Sequence, residues 1–243
     1  MYRRYLNARS PLRLLEKGLH GGLGRGNLGL VLAGHGVGKT SFLVGVALDD
    51  LLRGKPVLHV ALDHTVQHVR DHYDTMFEEL AATTHLESHA VVRAEVERLR
   101  RIRAYPPAAF DAKRLREAIA LERELGAQPA LVVVDGLDVA QRSPEEFAAW
   151  REIARAADAE IWITAHAASE RIPALPAELR VFEPCFGVIL ALEPGASVGS
   201  GADGRGHRAA DTVALRALKE HDNPDVAALH VALDPKTLLL VRS

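Results

Sequence analysis

The chain has 243 residues, of which 48% are hydrophobic and 26% are charged, so it is long enough to bury the core of one α/β domain. Its formal net charge of −2 gives no overall attraction to nucleic acid or to anionic membranes, and no apolar run approaches the roughly 18 residues of a membrane span. The single cysteine, Cys185, excludes an internal disulfide and a cysteine-rich zinc site. From the length of the chain and the lack of a long apolar run, we expect one cytoplasmic domain covering residues 1–243.

The first part of the chain predicts a basic lead-in, a strand, a loop and a helix. Within the lead-in, residues 1–26, Ser10-Pro11 is a signal for the start of a short helix. The apolar run Leu30–Leu32 predicts a buried strand. After a glycine-rich loop, apolar residues recur at helical spacing until Gly54, which predicts a helix that begins at Lys39.

Strands and helices alternate along the rest of the chain as far as residue 192. This alternation predicts an α/β fold, a three-layer sandwich whose mostly parallel central sheet has helices on both faces, with an antiparallel C-terminal extension. A glycine-rich stretch that precedes the extension predicts a loop. The predicted strands are 56–62, 102–105, 130–134, 160–165, 187–192, 212–218, 228–233 and 237–242; the helices are 65–80, 84–101, 111–125 and one that begins after Ser143; the loop is 195–211.

The loop between the first strand and its helix has the composition of a phosphate-binding site. Its glycines allow successive N–H groups to point at phosphate oxygens, and the helix N-terminus adds a partial positive charge. Lys39 is expected to reach the β- and γ-phosphates, while the Thr40 hydroxyl coordinates Mg²⁺. The strict pattern begins with glycine, where this chain has Ala33. The alternative is a glycine-rich turn before a helix that happens to begin with Lys-Thr. The predicted nucleotide-binding residues are Gly34, His35, Gly36, Val37, Gly38, Lys39, Thr40 and Ser41.

Three other strands end in polar residues that we expect at the same edge of the sheet, where ligands bind in open parallel sheets. Asp135 is predicted to hold Mg²⁺ opposite Thr40, or alternatively to cap the turn that follows it. Asp63 is predicted to orient or deprotonate a water molecule, and its alternative role is the N-cap of the helix that begins near Thr65. The third strand ends in His166.

The order of these motifs resembles that of the RecA-like P-loop ATPases, in particular the branch with KaiC-type and DnaB-type proteins. The resemblance extends over about residues 10 to 243, although only the glycine loop is specific by itself. It implies a twisted central sheet in which the strand of Asp135 is separated from the glycine-loop strand by the strand of His166. The segments that carry the resemblance are Leu19–Leu28, Ala33–Thr40, Val57–Asp63, Leu131–Asp135, Ile161–His166 and Leu215–Asn223.

The resemblance also implies roles for individual residues. Asp63 stands where the family usually has a catalytic Glu, so hydrolysis is expected to be slow. His166 stands where the family often has a Gln that senses the γ-phosphate, or it is an ordinary strand-end histidine. Lys219 and His221 fall on a family pair that reaches into a neighbouring subunit, and only the lysine matches. Lys219 then acts in a homo-oligomer, such as a hexameric ring or a filament, or is simply solvated.

Two further groups of residues are candidate binding sites. His64, His68 and His72 lie four apart on one helical face, a spacing compatible with metal binding, although an exposed histidine stripe is the favoured interpretation. Arg171, Arg180 and the stretch 195–208 lie where RecA-type proteins contact DNA. Because these segments lack interleaved aromatic residues, nucleic-acid binding rests on analogy of fold alone.

The function predicted from these motifs is Mg²⁺-dependent binding and hydrolysis of ATP, coupled to oligomer assembly or to a conformational switch. Lys39, Asp63, Asp135, His166 and Lys219 are the predicted catalytic residues, and Thr40 and Asp135 the metal ligands. Two alternatives stay open: a regulatory module that binds ATP with little or no hydrolysis, and a P-loop kinase for a small molecule.

Overall fold

The structure is a computed structural model that describes residues 21–195, 212–223, 226 and 231–234. The predicted helix at Ser10-Pro11, most of the predicted loop 195–211 and the last predicted strand, 237–242, lie outside these residues.

The described residues contain eight strands, five α-helices and three short 3₁₀ segments. None of the helices in this described part has the length and apolar character that crossing a membrane requires. The strands are β1 (Leu28–Ala33), β2 (Val57–Ala61), β3 (Arg100–Ala104), β4 (Leu131–Asp135), β5 (Glu160–His166), β6 (Val188–Pro194), β7 (Val213–Glu220) and β8 (Val231–Leu233). The helices are α1 (Lys39–Leu52), α2 (Val66–Thr84), α3 (His89–Leu99), α4 (Ala112–Glu124) and α5 (Pro144–Ala157), and the 3₁₀ segments are Pro107–Ala109, Val139–Gln141 and Ala177–Cys185.

The strands form one sheet in the order β3-β2-β4-β5-β1-β6-β7-β8 among the described residues. Neighbours from β3 to β6 pair in parallel, whereas β7 pairs antiparallel with both β6 and β8. The predicted mostly parallel sheet with an antiparallel extension is therefore confirmed. Strand β5, which ends at His166, lies between β4 and the glycine-loop strand β1, in the order that the resemblance implied.

Helices cover both faces of the sheet and bury two separate hydrophobic clusters. Helices α1, α2 and α3 pack on one face, and α4 and α5 pack on the other. The central position of β4 explains why its first four residues, 131–134, are all apolar: Val133 belongs to the first cluster, and Val132 and Val134 belong to the second. A strand with successive side chains buried on opposite faces needs a continuous apolar run. The fold is thus α/β with a layer of helices on each side of the sheet.

The largest boundary error concerns the predicted helix 84–101. Helix α2 continues to Thr84, and α3 covers only His89–Leu99. Arg100 already belongs to β3, where it pairs with Val57 of β2. The charged residues around Arg100 continue the helical pattern of α3, so the sequence alone predicts that the helix goes on. Pairing with β2 overrides this helical propensity, and β3 begins instead.

Gly29 in β1 provides a test of this packing. A Cβ atom at Gly29 would overlap the ring of Trp162 on the neighbouring strand β5, and both residues are buried. We expect Gly29→Ala to lower the free energy of unfolding by about 1–3 kcal/mol through overpacking. The matched control is Gly45→Ala in helix α1, where the nearest atom is the flexible Met76 Cε at 3.4 Å. That change should stabilise the protein by about 0.5–1 kcal/mol. Urea unfolding measures both, and equal effects would contradict the described packing of Trp162.

Candidate phosphate and metal site

The glycine loop leads from the end of β1 directly into helix α1. Gly36 and Gly38 have φ angles of 72° and 105°, a left-handed conformation in which a side chain is strained. The N-cap of α1 is Gly38, which has no side chain that could accept a hydrogen bond from the first turn. The first-turn N–H groups of a helix have no intrahelical partners and attract anions. The loop therefore presents uncapped N–H donors at the carboxyl edge of the sheet.

Lys39, the first residue of α1, turns its amino group back towards the loop. Its Nζ donates hydrogen bonds to the carbonyl oxygens of Ala33 and Gly34, at 3.1 and 3.0 Å. Burial lowers the pKa of Lys39, and the nearby carboxylates of Asp135 and Asp63 act in the opposite direction. A positive charge thus lies between the glycine loop and the two aspartates.

Asp135 is held by hydroxyl groups from two directions. Thr40 Oγ1 donates to Asp135 Oδ2 at 2.6 Å, and Thr164 Oγ1 donates to Asp135 Oδ1 at 2.7 Å. Thr164 also accepts a hydrogen bond from the N–H of Gly136, at 2.9 Å. Asp135 therefore accepts hydrogen bonds from Thr40 and Thr164 rather than capping the turn that follows it, and its role as a metal ligand stays a prediction. Its side chain is almost completely buried, at 2% exposure, so its orientation is fixed.

Thr164 is a residue of the site that the sequence analysis did not identify. It is buried in β5 and links Asp135 to the backbone of Gly136. The signal was a hydroxyl residue within an otherwise apolar strand, two positions before His166. A strand neighbour of β4 is well placed to orient a carboxylate at the end of β4, because the two strands pair in parallel.

Asp63 lies beside Asp135 at the same edge. The N-cap of α2 is Thr65, whose side chain accepts the N–H of His68, so the capping role considered for Asp63 is wrong. A Cβ atom at Gly136 would overlap the Asp63 carboxylate, and Gly136 has a φ angle of 85°. One ligand atom from each of Asp63, His64 and Asp135 lies within 4.8 Å of the others. Hard carboxylate and hydroxyl oxygens, which suit Mg²⁺, thus converge here.

His166 and His35 contact one another above the loop. Their ring centroids are 4.6 Å apart, which brings the predicted sensor residue against a residue of the glycine loop. Desolvation lowers the pKa of His166, and the nearby Lys39 and His35 lower it further. His166 therefore favours the neutral form, in which one ring nitrogen donates a hydrogen bond.

The segment after β5 is anchored close to the glycine loop by Glu193. This buried carboxylate accepts the N–H of Ile172 at 2.6 Å and lies 3.7 Å from Arg216. The same segment brings Glu170 against the loop, since a Cβ atom at Gly34 would lie 3.6 Å from Glu170 Cα. Sequence reasoning missed Glu193, whose only signal was one charge at the end of an apolar strand.

Lys219 lies near the amino-terminal ends of the parallel strands, whereas the glycine loop lies at their carboxyl ends. In β7 it pairs with Ile189, whereas the loop follows the end of β1 where Ala33 pairs with Leu192. Lys219 Nζ donates to the carbonyl oxygen of Glu183 at 2.7 Å. The structure does not bring Lys219 to the site of its own chain, and its proposed action on a neighbouring copy stays a prediction.

A buried pair of side chains beneath the site gives a pH-dependent prediction. His59 Nδ1 lies 3.2 Å from the Tyr73 hydroxyl, and burial lowers the pKa of His59 from 6.5 to about 4. Well above pH 6.5 the imidazole is neutral in both states, whereas between pH 6.5 and about pH 4 it binds a proton in the unfolded chain but not in the folded one. The free energy of unfolding should therefore fall by about 2 kcal/mol between about pH 7.5 and about pH 5.

The matched variant is His59→Gln, which removes this titration and keeps an acceptor for Tyr73. Urea unfolding at both pH values should show a smaller loss for the variant than for the unchanged protein, by about that 2 kcal/mol. Equal losses in the two proteins would show that His59 does not titrate in the unfolded chain alone.

Taken together, the site combines uncapped helix N–H groups, a lysine, a hydroxyl and two carboxylates within one edge of the sheet. Such a set can bind a polyphosphate and a hard divalent cation, with a carboxylate left to orient water. No protein-family model matches this chain, and no curated protein matches it significantly.

Proposed function

We propose that this protein is a RecA-like P-loop ATPase that binds ATP with Mg²⁺ and hydrolyses it. The observation that carries the proposal is the hydrogen bond of 2.6 Å between Thr40 and Asp135, side chains 95 residues apart in sequence. Both were predicted as Mg²⁺ ligands from separate motifs. The position of β5 between β4 and β1 also supports the proposal, because it is the strand order expected for this class.

Each residue of the site would have its own role in binding ATP or in orienting the attacking water. The N–H groups of residues 34–41 and the Lys39 amino group would bind the phosphates, and Thr40 and Asp135 would hold the metal ion. Bound Mg²⁺ supplies positive charge that stabilises the phosphates during phosphoryl transfer. Asp63 would accept a hydrogen bond from the attacking water and orient it towards the γ-phosphorus. His166 would donate to a γ-phosphate oxygen from its neutral ring.

Two measurements test this function. Titration with a fluorescent ATP analogue should show binding in Mg²⁺ buffer and much weaker binding in EDTA. Steady-state phosphate release should then show slow turnover, because Asp63 is shorter than the Glu of the family. Absence of nucleotide binding at millimolar concentration would overturn the proposal.

The second candidate is a regulatory module that binds ATP with little turnover. Asp63 favours it, since its side chain is half exposed and its Oδ1 lies 3.6 Å from His64 Nε2 rather than being held by buried donors. Binding without phosphate release would select this candidate. Measurement of the mass in solution, with and without ATP·Mg²⁺, would show whether the protein forms a homo-oligomer when it binds ATP. The predicted action of Lys219 on a neighbouring copy requires such an oligomer.

A further inference from the structure

A continuous column of imidazole rings runs along the start of helix α2: His64 precedes the helix, and His68 and His72 lie in its first two turns. The ring centroids of His64 and His68 are 4.4 Å apart, and those of His68 and His72 are 4.8 Å apart. His68 is exposed, and the other two are partly buried. We name these three residues the histidine column. The proposed ATPase function gives it no role.

The two helical members of the column present nitrogen atoms to the same point. His68 Nε2 and His72 Nε2 are 3.3 Å apart. Zinc–nitrogen bonds of about 2.0–2.1 Å at tetrahedral angles place two ligand nitrogens about 3.4 Å apart. Histidines four residues apart on a helix are also the spacing that zinc-binding helices use. The separation in the structure is thus that of two ligands on one metal ion.

We propose that the histidine column is a binding site for a borderline divalent transition metal such as Zn²⁺. His68 and His72 bind the ion through their Nε2 atoms, while His64 packs its ring against that of His68. Water completes the coordination, since the column is open to solvent. Imidazole nitrogens select zinc and its neighbours over Mg²⁺, which prefers oxygen.

Metal ions bind the neutral form of imidazole. Without a metal, two neutral rings of opposite tautomer can share one N–H···N hydrogen bond at the same distance. A metal site predicts that the protein binds zinc at these two histidines, whereas a simple hydrogen bond between the two rings does not.

The column is separate from the predicted Mg²⁺ ligands but adjacent to the carboxylate end of that site. His64 Nε2 lies 3.6 Å from Asp63 Oδ1, and Asp63 and His64 also belong to the cluster with Asp135. Zinc could therefore bind either at the histidine column or at this mixed cluster. The experiment must distinguish the two positions, and variants of Asp135 and of His68 do so.

The test is titration of the full, untagged chain with Zn²⁺ in competition with a chromogenic chelator. We expect His68→Ala and His72→Ala each to weaken zinc binding at least about tenfold, the lower end of the loss seen when a metal's supporting residues are removed. The matched control is His89→Ala, which removes an exposed histidine that contacts Glu78 and lies outside the column. The control should bind zinc as the unchanged protein does.

Three outcomes decide the proposal. Unchanged affinity in the His68→Ala/His72→Ala double variant would overturn it and would assign zinc binding to other histidines. Loss of affinity in Asp135→Asn with retention in the double variant would also overturn it, by placing zinc in the mixed cluster. Zinc binding that persists in Lys39→Ala would support a site independent of nucleotide, so failure of the ATPase proposal leaves this one standing. Alanine is a strong helix former, so the variants should fold.

Discussion

Replacing Lys39 by alanine should reduce phosphate release by roughly 10²–10³-fold, the loss expected when one preorganised donor to developing negative charge is removed. The amino group already lies at the glycine loop, within hydrogen-bond distance of the carbonyl oxygens of Ala33 and Gly34. Its removal deletes the positive charge between the loop and the aspartates. Phosphate release at saturating ATP measures the effect, and titration with the fluorescent analogue measures the loss of binding.

The control for this prediction is Lys55→Ala. Lys55 is also partly buried and paired, with Nζ 2.9 Å from Asp50, but it follows the C-terminal end of α1, far along the helix from Lys39. Turnover by the control should match that of the unchanged protein. The fold should survive in the Lys39 variant, because the Ala33 carbonyl also accepts the N–H of Ala167. Equal turnover in Lys39→Ala and the unchanged protein would mean that the observed hydrolysis does not occur at this loop.

Gly136→Ala should reduce phosphate release by roughly 10²-fold while leaving nucleotide binding nearly unchanged. A Cβ atom at this position would overlap the carboxylate of Asp63 and force it to move. Asp63 is proposed to orient water and not to hold the phosphates, so the displacement should affect turnover far more than affinity. Asp63→Ala should show the same separation between the two measurements.

Backbone strain alone could also explain a loss in Gly136→Ala, and Gly126→Ala controls for it. Gly126 has a φ angle of 79°, close to the 85° of Gly136, but among the described residues no atom other than those of its chain neighbours lies within 4 Å of the Cβ position. Both variants should lose about 1–2 kcal/mol of stability from the left-handed conformation. Only Gly136→Ala should lose activity. A similar loss of turnover in both variants would contradict the proposed role of Asp63.

Local sequence was sufficient for the glycine loop and for most helix starts. Asp111 and Ser143 were predicted to begin helices, and their side chains accept the N–H groups of Arg114 and Glu146, three residues further on. Capping depends on a side chain and a backbone only three residues apart, so sequence carries the signal. The strand ends at Asp135 and His166 were predicted for a similar reason, because an apolar run that ends in a polar residue marks where burial stops.

Sequence could not exclude a capping role for either aspartate. Asp63 was compatible with an N-cap until the structure assigned that role to Thr65. Asp135 was compatible with a turn cap until its carboxylate was found between Thr40 and Thr164. A carboxylate can accept from any donor that the fold brings near, and these two threonines come from other elements of the chain.

The sequence by itself determined that a strand, a glycine loop and a helix beginning Lys39-Thr40 follow one another, because turn conformation and helical spacing are local properties. It also indicated a parallel sheet through the alternation of elements. Only the tertiary structure decided that Thr40 lies against Asp135, that Gly136 makes room for Asp63, and that Thr164 orients the site. These contacts depend on the order of strands in the sheet, and that order is set by burial of both faces at once rather than by any one segment.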